Sequence, residues 1–189
     1  MAVDNKSLHA SRLNEIAPPR QLRRWAHSFT FMAEPFVYDK ADWHYGADNF
    51  SPDLDESHGF THTGMFLGWI LDNDLYDTDW FGPEMESYIA AFKNRELTGP
   101  KFFEACDGVL LDNMLNDEGN AFAHHYFEFG RGKYLADYSE LFARALPSIY
   151  HVADTWQNYD LLKKRIDKRY REWKRGSSGW WRSVFSKRR

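Results

Sequence analysis

The sequence predicts a mainly α-helical fold, a single compact domain of about six helices with room for a small sheet at one edge. Apolar residues recur at intervals of three and four along several segments, which is the spacing of one helix face. No segment shows the sustained apolar-polar alternation of a half-buried strand. The 189 residues include 15 Phe, 10 Tyr and 8 Trp, enough large rings to fill one sizeable core.

The first half of the chain predicts three of these helices. One spans residues 61–75, because His62, Phe66 and Trp69 share a face. The next begins at Gly82-Pro83, since proline is tolerated in the first turn. A short one runs from Thr98 to about Gly108. Weaker signals place a short helix at residues 21–31 and strands at residues 30–38 or 148–152.

The second half predicts three more helices, at residues 116–129, at residues 133–146, and after Asp154, which can form a variant capping box with Gln157. Gly130 and Pro147 end the first two. Tyr159, Leu162 and Ile166 form the apolar stripe of the last. The run Gly176-Ser177-Ser178-Gly179 then predicts a flexible break. This break separates a basic aromatic tail (176–189) from the preceding chain.

Charge is distributed unevenly along the chain. Residues 163–189 hold twelve Lys or Arg against Asp167 and Glu172, a net charge of +10, and the whole chain carries −4, so residues 1–162 sum to −14. An acidic body favours basic partners. No stretch approaches the ~18 apolar residues of a membrane helix. The first twenty residues lack the apolar core of a secretory signal, and Cys106 is the only cysteine, so we expect a cytoplasmic protein.

Sequence signatures of several common enzyme classes are missing. The chain has no glycine-rich phosphate loop, no dinucleotide fingerprint, no HExxH zinc motif, no GxSxG nucleophile elbow and no CxxC pair. We therefore assign no catalytic residue, cofactor or metal, and favour a binding protein over an enzyme. His58 and His62 have the separation of two metal ligands on one helix, but Gly59 places His58 before the helix.

The densest functional pattern is a loop that joins a carboxylate, an imidazole and two aromatic rings. Loops carry binding groups more often than helix interiors do. In the alternative interpretation, the two rings anchor the loop and His44 bonds a backbone carbonyl. Further candidates lie on and after the helix at 61–75, which ends in an acidic run. This run lacks the glycine and glutamate positions that a calcium-binding loop requires. Its negative charge nevertheless suits a basic partner. The candidate binding residues are Asp42, Trp43, His44, Tyr45, His62, Trp69, Asp72 and Asp74.

The basic tail combines aromatic and cationic residues in a pattern typical of proteins that contact anionic membrane surfaces. Alternatively, the tail folds onto the acidic body. Nucleic acid is the less favoured partner. The candidate membrane or anion contacts are Trp180, Trp181, Arg182, Phe185 and Lys187.

Three motifs resemble a family of uncharacterised bacterial proteins: YDKADWH at 38–44, THTGMFLGWILDNDL at 61–75 and YHVADTW at 150–156. The resemblance covers roughly residues 38–173 and implies no established activity. It implies that a helical domain (38–175) follows an N-terminal extension (1–37). Small acidic bacterial proteins of this kind are similar to the immunity partners of secreted toxins.

Three functional hypotheses follow. The first is an immunity-like protein that neutralises a toxin or another protein. The second is a small-ligand or hydrolytic enzyme in which Asp42 and Asp72 orient His44 or His62 as general base. The third is a peripheral membrane scaffold that acts through the tail.

Overall fold

The computed structural model describes the backbone of residues 34–186 and the side chains of residues 34–176. Six α-helices and a two-stranded sheet make up this part of the chain, so the predicted mainly α domain with a small edge sheet is confirmed. The helix expected at residues 21–31 lies outside the described residues. The strands are β1 (Val37–Lys40) and β2 (Val109–Leu111), and the helices are α1 (Thr61–Asp72), α2 (Thr78–Lys93), α3 (Gly99–Ala105), α4 (Asp117–Tyr126), α5 (Tyr134–Phe142) and α6 (Trp156–Ser186).

Helix α1 is the centre of the fold. Every residue from Thr61 to Leu71 is buried, so the helix contacts other elements on all sides. It lies closest to α3, where glycines allow the two backbones to approach. A Cβ atom on Gly64 would lie 2.3 Å from the Cα of Pro100, and one on Gly99 would lie 2.3 Å from the carbonyl oxygen of Gly64. Only glycine fits at this crossing.

Helix α2 begins earlier than the sequence predicts. The side chain of Asp77 accepts a hydrogen bond of 2.8 Å from the backbone N–H of Trp80 and caps a first turn that starts at Thr78. The predicted start at Gly82-Pro83 is instead a kink, since Gly82 has φ 65° and ψ 175°. Glycine adopts this left-handed φ without a steric penalty.

The sheet pairs β1 with β2 in antiparallel fashion, with Val37 opposite Leu111 and Lys40 opposite Val109. This register places the buried residue Asp39 opposite the buried residue Leu110. Residues 148–152 form no strand. Ile149–His151 is a single 3-10 turn capped by the Ser148 hydroxyl, which accepts from the N–H of Tyr150.

Helices α4 to α6 pack around α1. In place of the helix predicted at 133–146, the structure has an α-helix that ends at Phe142 and a 3-10 turn that follows it, Ala143–Ala145. Tyr159, Leu162 and Ile166 on α6 are buried, as the apolar stripe predicts. The flexible break predicted at residues 176–179 is wrong, because α6 continues through Ser186. Glycine weakens a helix by about 1 kcal/mol but does not end it.

Stacked and edge-on aromatic rings fill the core. Phe66 stacks on Phe127 with ring centroids 4.4 Å apart, and Trp69 lies 5.1 Å from Phe122. Such pairs add about 0.5–1.5 kcal/mol beyond the burial of their area. In the described part of the chain, no helix is both long and apolar enough to cross a membrane.

Candidate functional site

Three ionisable side chains from three separate elements meet in the interior beside α1. Asp39 comes from β1, His44 from the turn after it and His62 from the first turn of α1. Their exposed fractions are 1%, 6% and 2%, so the cluster is almost closed to solvent. Burying a carboxylate is costly unless it is paired or bonded. The partners of Asp39 therefore decide what this cluster can do.

His44 is held at both ring nitrogens. Its Nε2 lies 2.9 Å and 3.0 Å from the two carboxylate oxygens of Asp39, and its Nδ1 lies 2.9 Å from the hydroxyl oxygen of Tyr150. The Thr63 hydroxyl also donates to Asp39 Oδ2. These contacts fix the orientation of both the imidazole and the carboxylate.

His62 is packed against the same carboxylate but is not hydrogen-bonded to it. Its Nε2 lies 3.3 Å from Asp39 Oδ2, and that buried nitrogen has no hydrogen-bond partner among the described residues. The ring centroid lies 4.6 Å from that of His44. The His62 carbonyl oxygen accepts a hydrogen bond of 2.5 Å from the Tyr134 hydroxyl. The backbone carbonyl of His62 thus has a hydrogen-bond donor, whereas its ring Nε2 faces Asp39 Oδ2 without a hydrogen bond.

Burial and proximity set the charges in the cluster. Burial alone would raise the pKa of Asp39, but the His44 and His62 rings beside the carboxylate hold that pKa well below its ordinary range. Burial lowers the pKa of His62, against the opposing effect of Asp39.

The sequence identified two of the three members of this cluster. His44 and His62 were predicted as site residues, and the structure brings them together, but Asp39 was missed. A carboxylate on a strand of four residues has no pattern that marks it as buried. His44 bonds a carboxylate and a phenol, not the backbone carbonyl of the alternative interpretation.

The other candidates on α1 and after it lie elsewhere. Asp72 is ten residues from His62, roughly 15 Å along the helix, and accepts a hydrogen bond of 2.7 Å from the Tyr159 hydroxyl. Asp74 pairs with Lys93 at 2.5 Å. Trp69 is a core residue whose indole N–H donates to Asp167 at 2.8 Å. The predicted group of Asp42, His44, His62 and Asp72 is therefore not assembled.

Residues 42–56, here called the acidic loop, connect His44 to the turn before α1. Tyr45 and Phe50 turn inward, with ring centroids 5.9 Å apart, and Phe50 lies 4.9 Å from the ring of Tyr150. Trp43 turns outward and is 57% exposed. Of the two predicted aromatic residues, Tyr45 thus anchors the loop and Trp43 faces solvent.

The acidic loop carries a dense negative charge. Between Lys40 and Lys93 the chain has eleven Asp or Glu and no Lys or Arg. Five of these acids lie on the loop, and all are exposed: Asp42, Asp48, Asp53, Asp55 and Glu56. None of the five forms an ion pair with Lys or Arg within the part of the chain that the structure describes. The negative charge of this surface is therefore available to a basic partner.

A cavity of about 250 Å³ lies next to the cluster, between the turn before α1 and the start of α3. His58 lines it and links it to the cluster, because its Nδ1 lies 2.7 Å from the carbonyl oxygen of Tyr150. The cavity also contains Lys101 and Glu104, which pair at 2.8 Å. Asp39, His44 and His62 do not line it.

Side chains of the predicted tail contacts lie outside the described residues. Trp180, Trp181, Arg182 and Phe185 belong to the backbone of α6, and Lys187 follows its described end. Their contact with a membrane stays a prediction.

A domain of unknown function, DUF7832, matches residues 37–152, more than half of the chain. The match includes the buried cluster and the acidic loop, and it ends just before α6. No curated protein and no solved structure matches the chain. The chain thus belongs to the DUF7832 family.

Proposed function

We propose that this chain is an immunity-like binding protein, which neutralises a basic protein partner such as a toxin by docking it on the acidic loop. The observation that carries the proposal is the group of five exposed carboxylates, which have no Lys or Arg ion-pair partner among the described residues and lie on the same loop as the exposed Trp43. The family resemblance and the lone Cys106 favour the bacterial cytoplasm as the location.

Electrostatics favours a basic partner for such a surface. Complementary potentials raise association rates and disfavour partners of the same charge. The five carboxylates are exposed to solvent. A partner rich in Lys and Arg would gain charge-assisted hydrogen bonds at a modest cost of desolvation.

Trp43 provides an apolar contact within this charged surface. Tryptophan is enriched among the residues that dominate binding energy at protein interfaces. The Lys40 ammonium lies 5.9 Å from the centroid of the Trp43 ring and supports one face. The rest of the ring remains available.

The acidic loop is ordered before binding. Backbone hydrogen bonds of 2.9–3.0 Å close successive turns, from Ala47 N–H to the His44 carbonyl and from Phe50 N–H to the Ala47 carbonyl. His44, buried below, ties the loop to Asp39. A loop that is already ordered loses less entropy on binding.

The test is quantitative affinity capture from the native host with full-length tagged protein. We expect Trp43→Ala to reduce recovery of a basic partner by at least about tenfold, since loss of a central aromatic contact costs about 2 kcal/mol or more. Phe129→Ala is the matched control, because Phe129 is similarly exposed, at 61%, but lies after α4. Equal recovery with both variants would contradict the assignment of the acidic loop.

A further inference from the structure

The buried Asp39 carboxylate lies among histidine side chains and not among arginines. Buried charges in proteins are paired or coordinate metals. Among the described residues, no Lys or Arg side chain contacts Asp39. Its neighbours are two imidazoles, the Thr63 hydroxyl and the backbone N–H of Lys40, which donates to Asp39 Oδ1 at 2.9 Å. Elsewhere the same fold pairs buried Asp137 with two arginines. Unlike Asp137, Asp39 therefore lies among side chains that can share a metal ion with it.

The unpartnered nitrogen of His62 points to the same conclusion. Its Nε2 is buried, faces Asp39 Oδ2 at 3.3 Å and makes no hydrogen bond. If Nε2 carries no proton, two lone pairs face each other across this gap. A cation bound by both atoms would convert that repulsion into two ligand bonds.

The distances also suit a small dication. Zinc lies about 2.0–2.1 Å from imidazole nitrogen and carboxylate oxygen, so two ligand atoms in a tetrahedral site are about 3.4 Å apart. Asp39 Oδ1 lies 2.9 Å from His44 Nε2, and Asp39 Oδ2 lies 3.3 Å from His62 Nε2. All three ligand atoms lie within 4.8 Å of one another. Binding therefore requires side-chain movements of at most about 1.5 Å.

We propose that Asp39, His44 and His62 form a buried site for a first-row transition-metal dication, and that Zn²⁺ is the ion it best suits. Two imidazoles and one carboxylate are ligands that this ion accepts. The metal joins β1, the acidic loop and α1, so its role is structural. The site is independent of the proposed partner of the loop.

Tyr150 acts as a positioning residue for this site. A metal-binding histidine usually bonds a second group through its other ring nitrogen, which fixes the ring orientation. The Tyr150 hydroxyl occupies that place on His44 Nδ1, at 2.9 Å. The Thr63 hydroxyl similarly orients the Asp39 carboxylate.

Calorimetric titration of the full chain with Zn²⁺, after chelator treatment, tests the site. We expect one Zn²⁺ per chain with a Kd below about 1 μM. His62→Gln should weaken binding by at least about 100-fold, and Tyr150→Phe by about 10–100-fold. His125→Gln is the control, since His125 is exposed on α4 and should leave the affinity unchanged. Absence of binding, or a site that survives His62→Gln, would overturn the proposal.

A measurement on the unmodified protein covers the case in which His62→Gln does not fold. Nitrogen-detected NMR of the histidine rings should show the Nε2 resonances of His44 and His62 shifting together as one equivalent of Zn²⁺ is added. Shifts confined to other histidines would overturn the proposal as well.

Discussion

At the scale of single residues, Asp137 shows how this fold stabilises a buried carboxylate. Its side chain accepts hydrogen bonds from Arg165 at 2.7 Å, from Arg169 at 2.7 and 2.8 Å, and from the Tyr126 hydroxyl at 3.0 Å. The arginines come from α6 and Asp137 from α5. Asp137 therefore fastens the last helix to the body.

We expect Asp137→Ala to lower the free energy of unfolding by about 3 kcal/mol, because it leaves two arginines without their shared acceptor. Urea unfolding measures the change. Asp160→Ala is the control, since Asp160 pairs with Arg95 on the surface, where both side chains are at least 41% exposed. Such a pair contributes about 0–1 kcal/mol. Similar losses in both variants would contradict the special role of Asp137.

Asp137 also makes stability depend on pH. Burial alone would raise its pKa, but the hydrogen bonds from Arg169 and Arg165 outweigh burial and hold the pKa below the ordinary value of 3.8. Because the folded pKa is the lower one, this stabilisation is complete above about pH 3.8 and is lost as pH falls through the folded value. Urea unfolding between pH 6 and pH 3 should show a smaller loss of stability in Asp137→Asn than in the unmodified protein. An identical decline in both would contradict this origin.

At the scale of elements, the crossing of α1 and α3 depends on the absence of a side chain at Gly64. Alanine there would place its Cβ 2.3 Å from the Cα of Pro100, so the backbones must separate. We expect Gly64→Ala to destabilise the protein by about 1–3 kcal/mol. Thermal unfolding measures the change.

Gly176→Ala on α6 provides the matched comparison. Nothing lies within 4 Å of a Cβ at this position, so the gain in helix propensity should stabilise by up to about 1 kcal/mol. Opposite signs at Gly64 and Gly176 are the expected result. Stabilisation by both substitutions would show that α1 and α3 are not in close contact.

The sequence was most informative about long amphipathic elements and least informative about short ones. The stripe of Tyr159, Leu162 and Ile166 predicts α6 because a face repeated over many turns is hard to mistake. Strand β2 has three residues, too few to show alternation, so it was missed. Asp39 was missed for the same reason, since only the pairing of β1 with β2 reveals that it is buried. One of the three residues of the candidate site, Asp39, thus depends on tertiary contacts that local patterns do not contain.

At the scale of the whole molecule, the basic helix neutralises part of the acidic body. On α6, Lys163 lies 3.5 Å from Asp72, Arg165 and Arg169 bind Asp137, and Lys174 contacts Glu118. These contacts come from the part of α6 that precedes the predicted tail (176–189). They leave the acidic loop without basic partners, which is why we place the docking surface there.

The most direct test reverses the charge of that loop and measures capture of the basic partner from the native host by quantitative mass spectrometry. Asp42→Lys with Asp53→Lys should abolish stoichiometric capture, because both residues are exposed and charge reversal makes the encounter repulsive. Glu86→Lys with Glu96→Lys, an equal change on α2 and the turn after it, should preserve capture. If the two double variants behave alike, or if the unmodified protein retains no basic partner, the assignment of the acidic loop as the binding surface is contradicted.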